Sequence, residues 1–342
     1  MFRQNVSELN QGRLGEPSLP HLVECSPSRP NQRKSKRTRA FAHDFTASFP
    51  ISKFTMEQRS YVRLLPIVIA LIAVAYKFLS TPSFVNPETG RKARVGLNPQ
   101  QEQALGLQSY NQVLQEAGSN VVRSGPVVDQ VTRVARRLAG AAAAHGQQQY
   151  NWRLSVVRSD QVNAFCLPGG EIVVYTAILP VTQHSAGLAV VMGHEMAHAT
   201  SRHGAQRMFQ QSIAQTLMTG AQFSLTNLDW NQQRAVMGAL GAATQYGAIL
   251  PFSREHESEA DHVGLLYMAR AGYDPQEAIK FWQRMEAQAG SGRQPAEFAS
   301  DHPSHGHRIE QLKGWMPQAL QEYEKAPEKV PASEALAPIS GN

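Results

Sequence analysis

The sequence contains little cysteine, few charged residues and no long apolar segment. Two cysteines among 342 residues exclude a disulfide framework and a four-cysteine zinc site. With 42% hydrophobic and 18% charged residues, the composition excludes a chain that is disordered throughout and allows one large or two smaller folded domains. The apolar run Leu64–Tyr76 has 13 residues, fewer than the ~20 that a membrane-spanning helix needs.

The net charge of +6 resides in the N-terminal part of the chain. Residues 1–63 hold 11 Lys and Arg against 5 Asp and Glu, and the remaining residues hold equal numbers of each sign. The neutral body argues against a nucleic-acid partner. Because the basic run Arg33–Arg39 lies among Pro and Ser without an apolar period, we predict that residues 1–63 form a disordered basic leader.

Residues 64–80 are predicted to form an N-terminal membrane anchor or a signal segment. Arg59 and Arg63 precede the apolar run, and the side chain of Lys77 could extend to a membrane surface. Basic residues followed by an apolar run are typical of both segment types and predict that the body lies on the trans side of the membrane. A buried core helix is the alternative. The pattern decides neither whether the segment is cleaved nor whether Met1 or Met56 is the start.

The body is predicted to have a mainly helical α+β fold with a small sheet. Apolar periodicity predicts helices over 98–118 and from Pro126, and then over 185–211, 232–249, 254–271, 275–289 and 305–322. Two runs rich in β-branched residues, 152–157 and 171–175, predict strands. Helices packed on such a sheet give an α+β domain. The tail 326–342, rich in Pro, Ala, Ser and Glu, is predicted to be disordered.

His194, Glu195 and His198 form the strongest chemical signal in the chain. Two His side chains four residues apart share one face of a helix, where they can bind one Zn²⁺ at about 2.0–2.1 Å. Glu195, next to the first of them, has the position of a general base for an attacking water.

A catalytic zinc site needs a third protein ligand, and a second helix offers candidates. Glu257 and Asp261 are four residues apart and share a face. Glu257 could bind the metal, while Asp261 could accept a hydrogen bond from a liganding imidazole and fix its tautomer. Spacing alone leaves the choice open, since Glu255 and Glu259 belong to the same acidic stretch, which is favourable at a helix N-terminus without any metal.

Four sequence blocks occur in order within residues 95–322. They are Asn163-Ala164-Phe165-x-x-Pro168-Gly169-Gly170, His194-Glu195-x-x-His198, Ser253-Arg254-x-x-Glu257-x-x-Ala260-Asp261 and His302-Pro303-x-x-x-x-Arg308-Ile309. Together they resemble the HtpX and CAAX-prenyl-protease family of HExxH zinc metallopeptidases, which are gluzincins. The resemblance is closest to the subgroup with a single N-terminal anchor, found in the bacterial periplasm and, as Oma-type proteins, in mitochondria. Asp301 departs from the family, which usually has Ser or Thr at that position.

The resemblance implies a zinc metallopeptidase domain over residues 95–322, with Glu257 as the third zinc ligand. It places His302 near the metal, where it could stabilise the oxyanion or cap the fourth zinc position. It also implies proteolytic quality control of misfolded or regulated membrane and envelope proteins, at a bacterial inner membrane facing the periplasm or at a mitochondrial inner membrane, with an oligomer possible. The alternative is a zinc-stabilised chaperone or scaffold without turnover.

Three further expectations concern the surroundings of the metal. The resemblance is to peptidases that bind substrate as an added strand, and it implies that the run 171–175 is an exposed edge, with Gly169, Gly170, Ile172 and Val174 contacting substrate. An interior strand without substrate contact is the alternative. His203 is expected to lie on the same helix as His198 but on another face, so that the metal would not depend on it. Cys166 is expected to be a small buried residue and not a nucleophile.

Overall fold

A computed structural model describes residues 56–144, 150–245, 250–289, 297–302, 307–331 and 334–338. Most of the predicted leader, residues 1–55, lies outside the described residues. The described part consists mainly of helices with two small sheets, which confirms the predicted α+β class.

The described residues contain eleven α-helices and six strands. The helices are α1 Met56–Ser80, α2 Pro99–Ala117, α3 Pro126–Ala143, α4 Leu179–Thr182, α5 Ser185–Thr200, α6 His203–Ser224, α7 Trp230–Thr244, α8 Leu250–Arg270, α9 Glu277–Ala289, α10 Glu297–Asp301 and α11 Arg308–Lys325. The strands are β1 Ser83–Val85, β2 Lys92–Arg94, β3 Val121–Val122, β4 Arg153–Val157, β5 Ala164–Leu167 and β6 Glu171–Tyr175.

The larger sheet has the strand order β3-β4-β6-β5. β6 pairs in parallel with β4, from Arg153↔Glu171 to Val157↔Tyr175, and antiparallel with β5. The expectation that residues 171–175 form an exposed edge is therefore wrong. Their strand has a neighbour on each side, and the side chains of Ile172 and Val174 are buried in the core. The edge strand on that side of the sheet is β5.

Helix α5 passes through the centre of the domain. Apart from His198, all of its residues are buried, as expected for a helix that is hydrophobic around its whole circumference. It packs closely on α8 where Gly193 meets Gly264. A Cβ atom on Gly264 would lie 2.8 Å from the backbone of Gly193 and His194, so only glycine permits this approach. The close contact brings the two motif-bearing helices within reach of one metal ion.

The predicted membrane or signal segment 64–80 belongs to α1, which packs along α6. Apolar side chains on the opposite side of α1 are exposed, among them Leu65, Ile69, Ile72 and Leu79. Among the described residues, no helix has the length and apolar character required to cross a bilayer.

The C-terminal tail differs from the predicted disordered segment in its described residues, 326–331 and 334–338. The amide of Val330 donates to the carbonyl of Gly272 at 2.8 Å, and that of Ser185 donates to the carbonyl of Glu334 at 3.0 Å. The Gln130 side chain donates to Ala335 and accepts from the amide of Ala337. Composition gave no sign of this packing because backbone groups form most of these contacts and any residue type supplies them.

Candidate metal centre

Four side chains converge at the contact of α5 with α8: His194, His198, Glu257 and His302. One ligand atom from each lies within 4.8 Å of the others. His194 Nε2 is 3.0 Å from His198 Nε2 and 3.3 Å from Glu257 Oε2, and His198 Nε2 is 3.4 Å from Glu257 Oε1. A tetrahedral zinc site with bonds of about 2.0–2.1 Å requires ligand atoms roughly 3.3 Å apart. The nitrogen and oxygen donors and their spacing therefore both fit Zn²⁺.

His302 lies at the fourth corner of this group. Its Nδ1 is 3.1 Å from His194 Nε2 and 3.1 Å from Glu257 Oε2. It follows α10, and its backbone amide donates to the carbonyl of Phe298 at 2.9 Å while its ring lies against the Phe298 ring. The loop after α10 thus places an imidazole nitrogen where a fourth ligand of a tetrahedral site would lie.

Two further buried side chains, those of Asp261 and Arg308, form polar contacts with residues of this ligand set. Asp261 Oδ1 lies 2.9 Å from His194 Nδ1, the ring nitrogen that faces away from the cluster. Arg308, which is 2% exposed, donates from Nε to Asp261 at 2.6 Å and from Nη2 to Glu257 at 3.0 Å. Its guanidinium carbon stands 3.8 Å from the centre of the Trp282 ring. Arg308 therefore both begins α11 and compensates the charge of two buried carboxylates.

The charges of the cluster shift the pKa values of its members strongly. Burial disfavours protonation of His194, but Asp261 and Glu257 outweigh it and raise the pKa of His194 to about 10. Burial also favours the neutral acid at Glu257, yet His198, together with hydrogen bonds from the imidazoles, holds the pKa of that carboxyl well below its usual range. These shifts arise because imidazoles and carboxylates lie within a few ångströms of one another in one buried site.

Glu195 stands beside the cluster at the wall of a cavity of about 310 Å³ that is also lined by His198, Glu257 and His302. Its Oε2 accepts a hydrogen bond of 3.3 Å from the amide of Cys166. Its Oε1 is buried, and it lacks a hydrogen-bond partner among the described residues although His302 Nε2 is 3.2 Å away. This buried carboxylate oxygen lies beside the ligand atoms, where it can accept a proton.

His203 does not lie where the sequence analysis placed it. The helix predicted over 185–211 breaks after Thr200, and Arg202 adopts a left-handed conformation at φ 57° before α6 begins at His203. The break turns the chain back, so that His203 Nδ1 comes within 2.9 Å of His198 Nδ1. The expectation that His203 faces away from the metal site is wrong, because it assumed one continuous helix.

The remaining described histidines form contacts of their own. His184 caps the N-terminus of α5, and His262 stacks on Trp315. His256 stacks on His203, bonds to Gln206 through Nε2 and lines the same cavity as His198 and Glu257. His305 lies outside the described residues.

The predicted substrate residues Gly169, Gly170, Ile172 and Val174 do not line the cavity. The two glycines form the left-handed turn between β5 and β6, with φ 108° and 104°. Phe165, Cys166 and Pro168, on and just after β5, line the cavity instead. Burial raises the pKa of the Cys166 thiol well above its usual value, with Glu195 adding to the shift, which agrees with a structural role for this cysteine.

Comparisons with known proteins match the described site region. The model of Peptidase family M48 matches residues 128–316, which include His194, Glu195, His198, Glu257 and His302. The chain is 35% identical over 220 residues to the mitochondrial metalloendopeptidase OMA1 of Schizosaccharomyces pombe, covering 64% of this chain and 62% of that protein.

Two further relatives come from a human and a bacterial source. Human metalloendopeptidase OMA1, mitochondrial, is 32% identical over 263 residues, covering 71% of this chain and 48% of its own length. The beta-barrel assembly-enhancing protease of Yersinia pestis is 29% identical over 226 residues, covering 65% and 45%. The chain thus spans about half to three-fifths of the length of these relatives. The matches confirm the resemblance that the four sequence blocks indicated.

Proposed function

Because the chain belongs to peptidase family M48, we propose that it is a zinc-dependent metalloendopeptidase that hydrolyses bonds within polypeptide substrates. The observation that carries this proposal is the spacing of the His194, His198 and Glu257 ligand atoms, at 3.0 to 3.4 Å, beside the buried carboxylate oxygen of Glu195. Three protein ligands with a general base next to them are the arrangement of a catalytic and not a purely structural zinc site.

In this proposal each residue has a separate task. His194, His198 and Glu257 hold the zinc, and Asp261 orients His194 through its second ring nitrogen. Zinc, when bound, acts as a Lewis acid that activates water and polarises the scissile carbonyl. Glu195 accepts the proton of the attacking water and passes it to the leaving amine.

The substrate is proposed to bind along β5, the edge strand beside Glu195. An edge strand presents backbone groups that can pair with an extended peptide. The Cys166 amide is 3.3 Å from Glu195 Oε2, which brings a strand lying on β5 close to the general base. Because backbone pairing tolerates many side chains, we expect loose sequence specificity, which suits the removal of misfolded proteins.

The first prediction concerns the ligand set. Purified protein is expected to hold about one zinc per chain and to cleave an unfolded protein such as casein, with cleavage lost on chelation and restored by zinc. His194→Ala and Glu257→Ala should lose the metal, whereas His262→Ala, distant from the ligand atoms, should keep it. Elemental analysis of the three variants checks this. Full zinc retention by Glu257→Ala would remove Glu257 from the ligand set.

The second prediction separates two roles of His302. We propose that His302 occupies the fourth position in the resting protein, since its Nδ1 lies 3.1 Å from both His194 Nε2 and Glu257 Oε2. On this view, His302→Ala should raise peptide turnover or speed zinc exchange. If His302 instead stabilises the oxyanion, the same variant should lose turnover by ~10²–10³-fold. The opposite signs make the rate of casein cleavage decisive.

We also propose that the protein works at a membrane, with membrane or envelope proteins as substrates. Exposed apolar side chains of α1 support this, including Ile72 at 63% and Leu79 at 77% exposure. Such a surface on a soluble protein marks an interaction site. The basic residues before the run favour a peptidase domain on the trans side, in a bacterial periplasm or, alternatively, at a mitochondrial inner membrane.

The third prediction tests this surface. Replacing Ile69 and Ile72 with Glu is expected to reduce flotation of the full chain with lipid vesicles, because charged groups oppose insertion into the apolar layer. Gln112→Glu, an exposed substitution on α2, is the matched control and should float like wild type. Equal flotation of all three proteins would contradict membrane contact through α1.

A further inference from the structure

We propose that His203 is a positioning residue for the metal ligand His198, and that it transmits the orienting effect of Glu259 to that ligand. The inference rests on the proposed zinc site and extends it by one more residue pair. His203 Nδ1 lies 2.9 Å from His198 Nδ1, and His203 Nε2 lies 2.9 Å from Glu259 Oε2. The chain of contacts therefore runs from Glu259 through His203 to His198 and from there to the metal.

Glu259 is held as an acceptor by groups other than His203. Arg91 donates to its Oε2 at 2.7 Å from Nε and 2.6 Å from Nη2, and Thr89 donates to Oε1. Since Arg91 already supplies the positive charge that this buried carboxylate needs, no second cation is required at His203. His203 and Glu259 are only 3% and 6% exposed, so water has little access to these contacts.

The contacts determine which ring nitrogens of His203 and His198 carry a proton. An ionised carboxylate can only accept, so His203 must carry its proton on Nε2 and donate to Glu259. The Nδ1 of a neutral imidazole in that tautomer is an acceptor, so His198 must donate from its own Nδ1. The lone pair of His198 then resides on Nε2, the atom that faces His194 and Glu257. His203 thereby selects the tautomer that a metal ligand needs.

The two histidine ligands are thus oriented in two different ways. Asp261 faces His194 directly at 2.9 Å, whereas Glu259 acts on His198 through an inserted imidazole. His203 reaches this place because α6 starts immediately after the left-handed Arg202. If His203 only filled space, this position would require side-chain volume but no hydrogen-bond acceptor directed at His198.

The test compares zinc affinities by competition with a chromophoric chelator. His203→Leu keeps much of the volume but removes the acceptor, and we expect its zinc affinity to fall about 10–100-fold. His203→Asn can place its amide oxygen near the former Nδ1 and should recover most of that loss. His262→Leu is the control, because His262 also forms a ring stack and a hydrogen bond, but with Trp315 and Gln318. It should stay within roughly threefold of wild type.

Thermal unfolding of the metal-free proteins separates positioning from folding. Cooperative unfolding of His203→Leu, together with a zinc affinity below that of His262→Leu, supports the proposal, whereas equal affinities of the two variants overturn it. If His203→Leu does not fold, long-range ¹H–¹⁵N spectra of zinc-loaded wild type test the tautomer of His203 instead. A proton on Nε2 of His203 would support the inference, whereas a proton on Nδ1 would overturn it. Wild type that binds no zinc would instead contradict the proposed function.

Discussion

Replacing Glu195 with glutamine is expected to lower peptide turnover by ~10²–10⁴-fold, towards the upper end of that range, while the zinc content stays near wild type. The amide has nearly the shape of the carboxylate, and its oxygen can still accept from the Cys166 amide as Glu195 does at 3.3 Å. It cannot accept the proton of water. The loss should be large because the same group also protonates the leaving amine. Casein cleavage at equal zinc loading measures it.

Glu255→Gln is the matched control for this experiment. It makes the same chemical change at an exposed position on α8, so both turnover and zinc content should remain at the wild-type level. A zinc-stabilised chaperone or scaffold would give a different pattern, since Glu195→Gln would then behave like wild type in every assay. Equal turnover of wild type and Glu195→Gln at equal zinc content would therefore end the peptidase proposal.

The largest effect on stability is expected for Arg308→Leu. Its guanidinium donates to Glu257 at 3.0 Å and to Asp261 at 2.6 Å, and all three side chains are nearly inaccessible to solvent. Removing the cation leaves the buried Asp261 without its main compensating charge and takes one donor from the buried Glu257. Breaking a buried ion pair in this way lowers the free energy of unfolding by about 3–5 kcal/mol. Urea unfolding of the metal-free protein, followed by tryptophan fluorescence, measures the change.

A substitution on the same helix provides the comparison. Lys313 pairs with Glu310 on the exposed side of α11, with 55% of its side chain accessible, so Lys313→Leu should change stability by only about 0.5 kcal/mol or less. Zinc should reduce the penalty of Arg308→Leu, because a bound cation supplies part of the charge that Glu257 needs. Equal unfolding midpoints for the two variants would contradict the role assigned to Arg308.

Local patterns in the sequence determined the class of the fold and the nature of the site. Apolar periodicity depends on neighbours a few residues apart, so it identified most helices as well as the strands 152–157 and 171–175. The spacing of His194 and His198 fixed two donors on one helical face by geometry alone. Glu257 could be chosen over its acidic neighbours only with the family resemblance, because spacing treats several carboxylates alike.

Contacts between distant segments were decided only by the tertiary structure. The position of residues 171–175 inside the sheet depends on pairing with β4 and β5, and the uninterrupted apolar run of β6 is compatible with an interior strand but does not name its partners. Arg308 meets Glu257 and Asp261 across about 50 residues of chain, a distance over which periodicity carries no information. The return of His203 to His198 depends on a single left-handed residue, Arg202. The sequence therefore determined which groups could bind a metal, whereas chain reversal and packing decided which groups surround them.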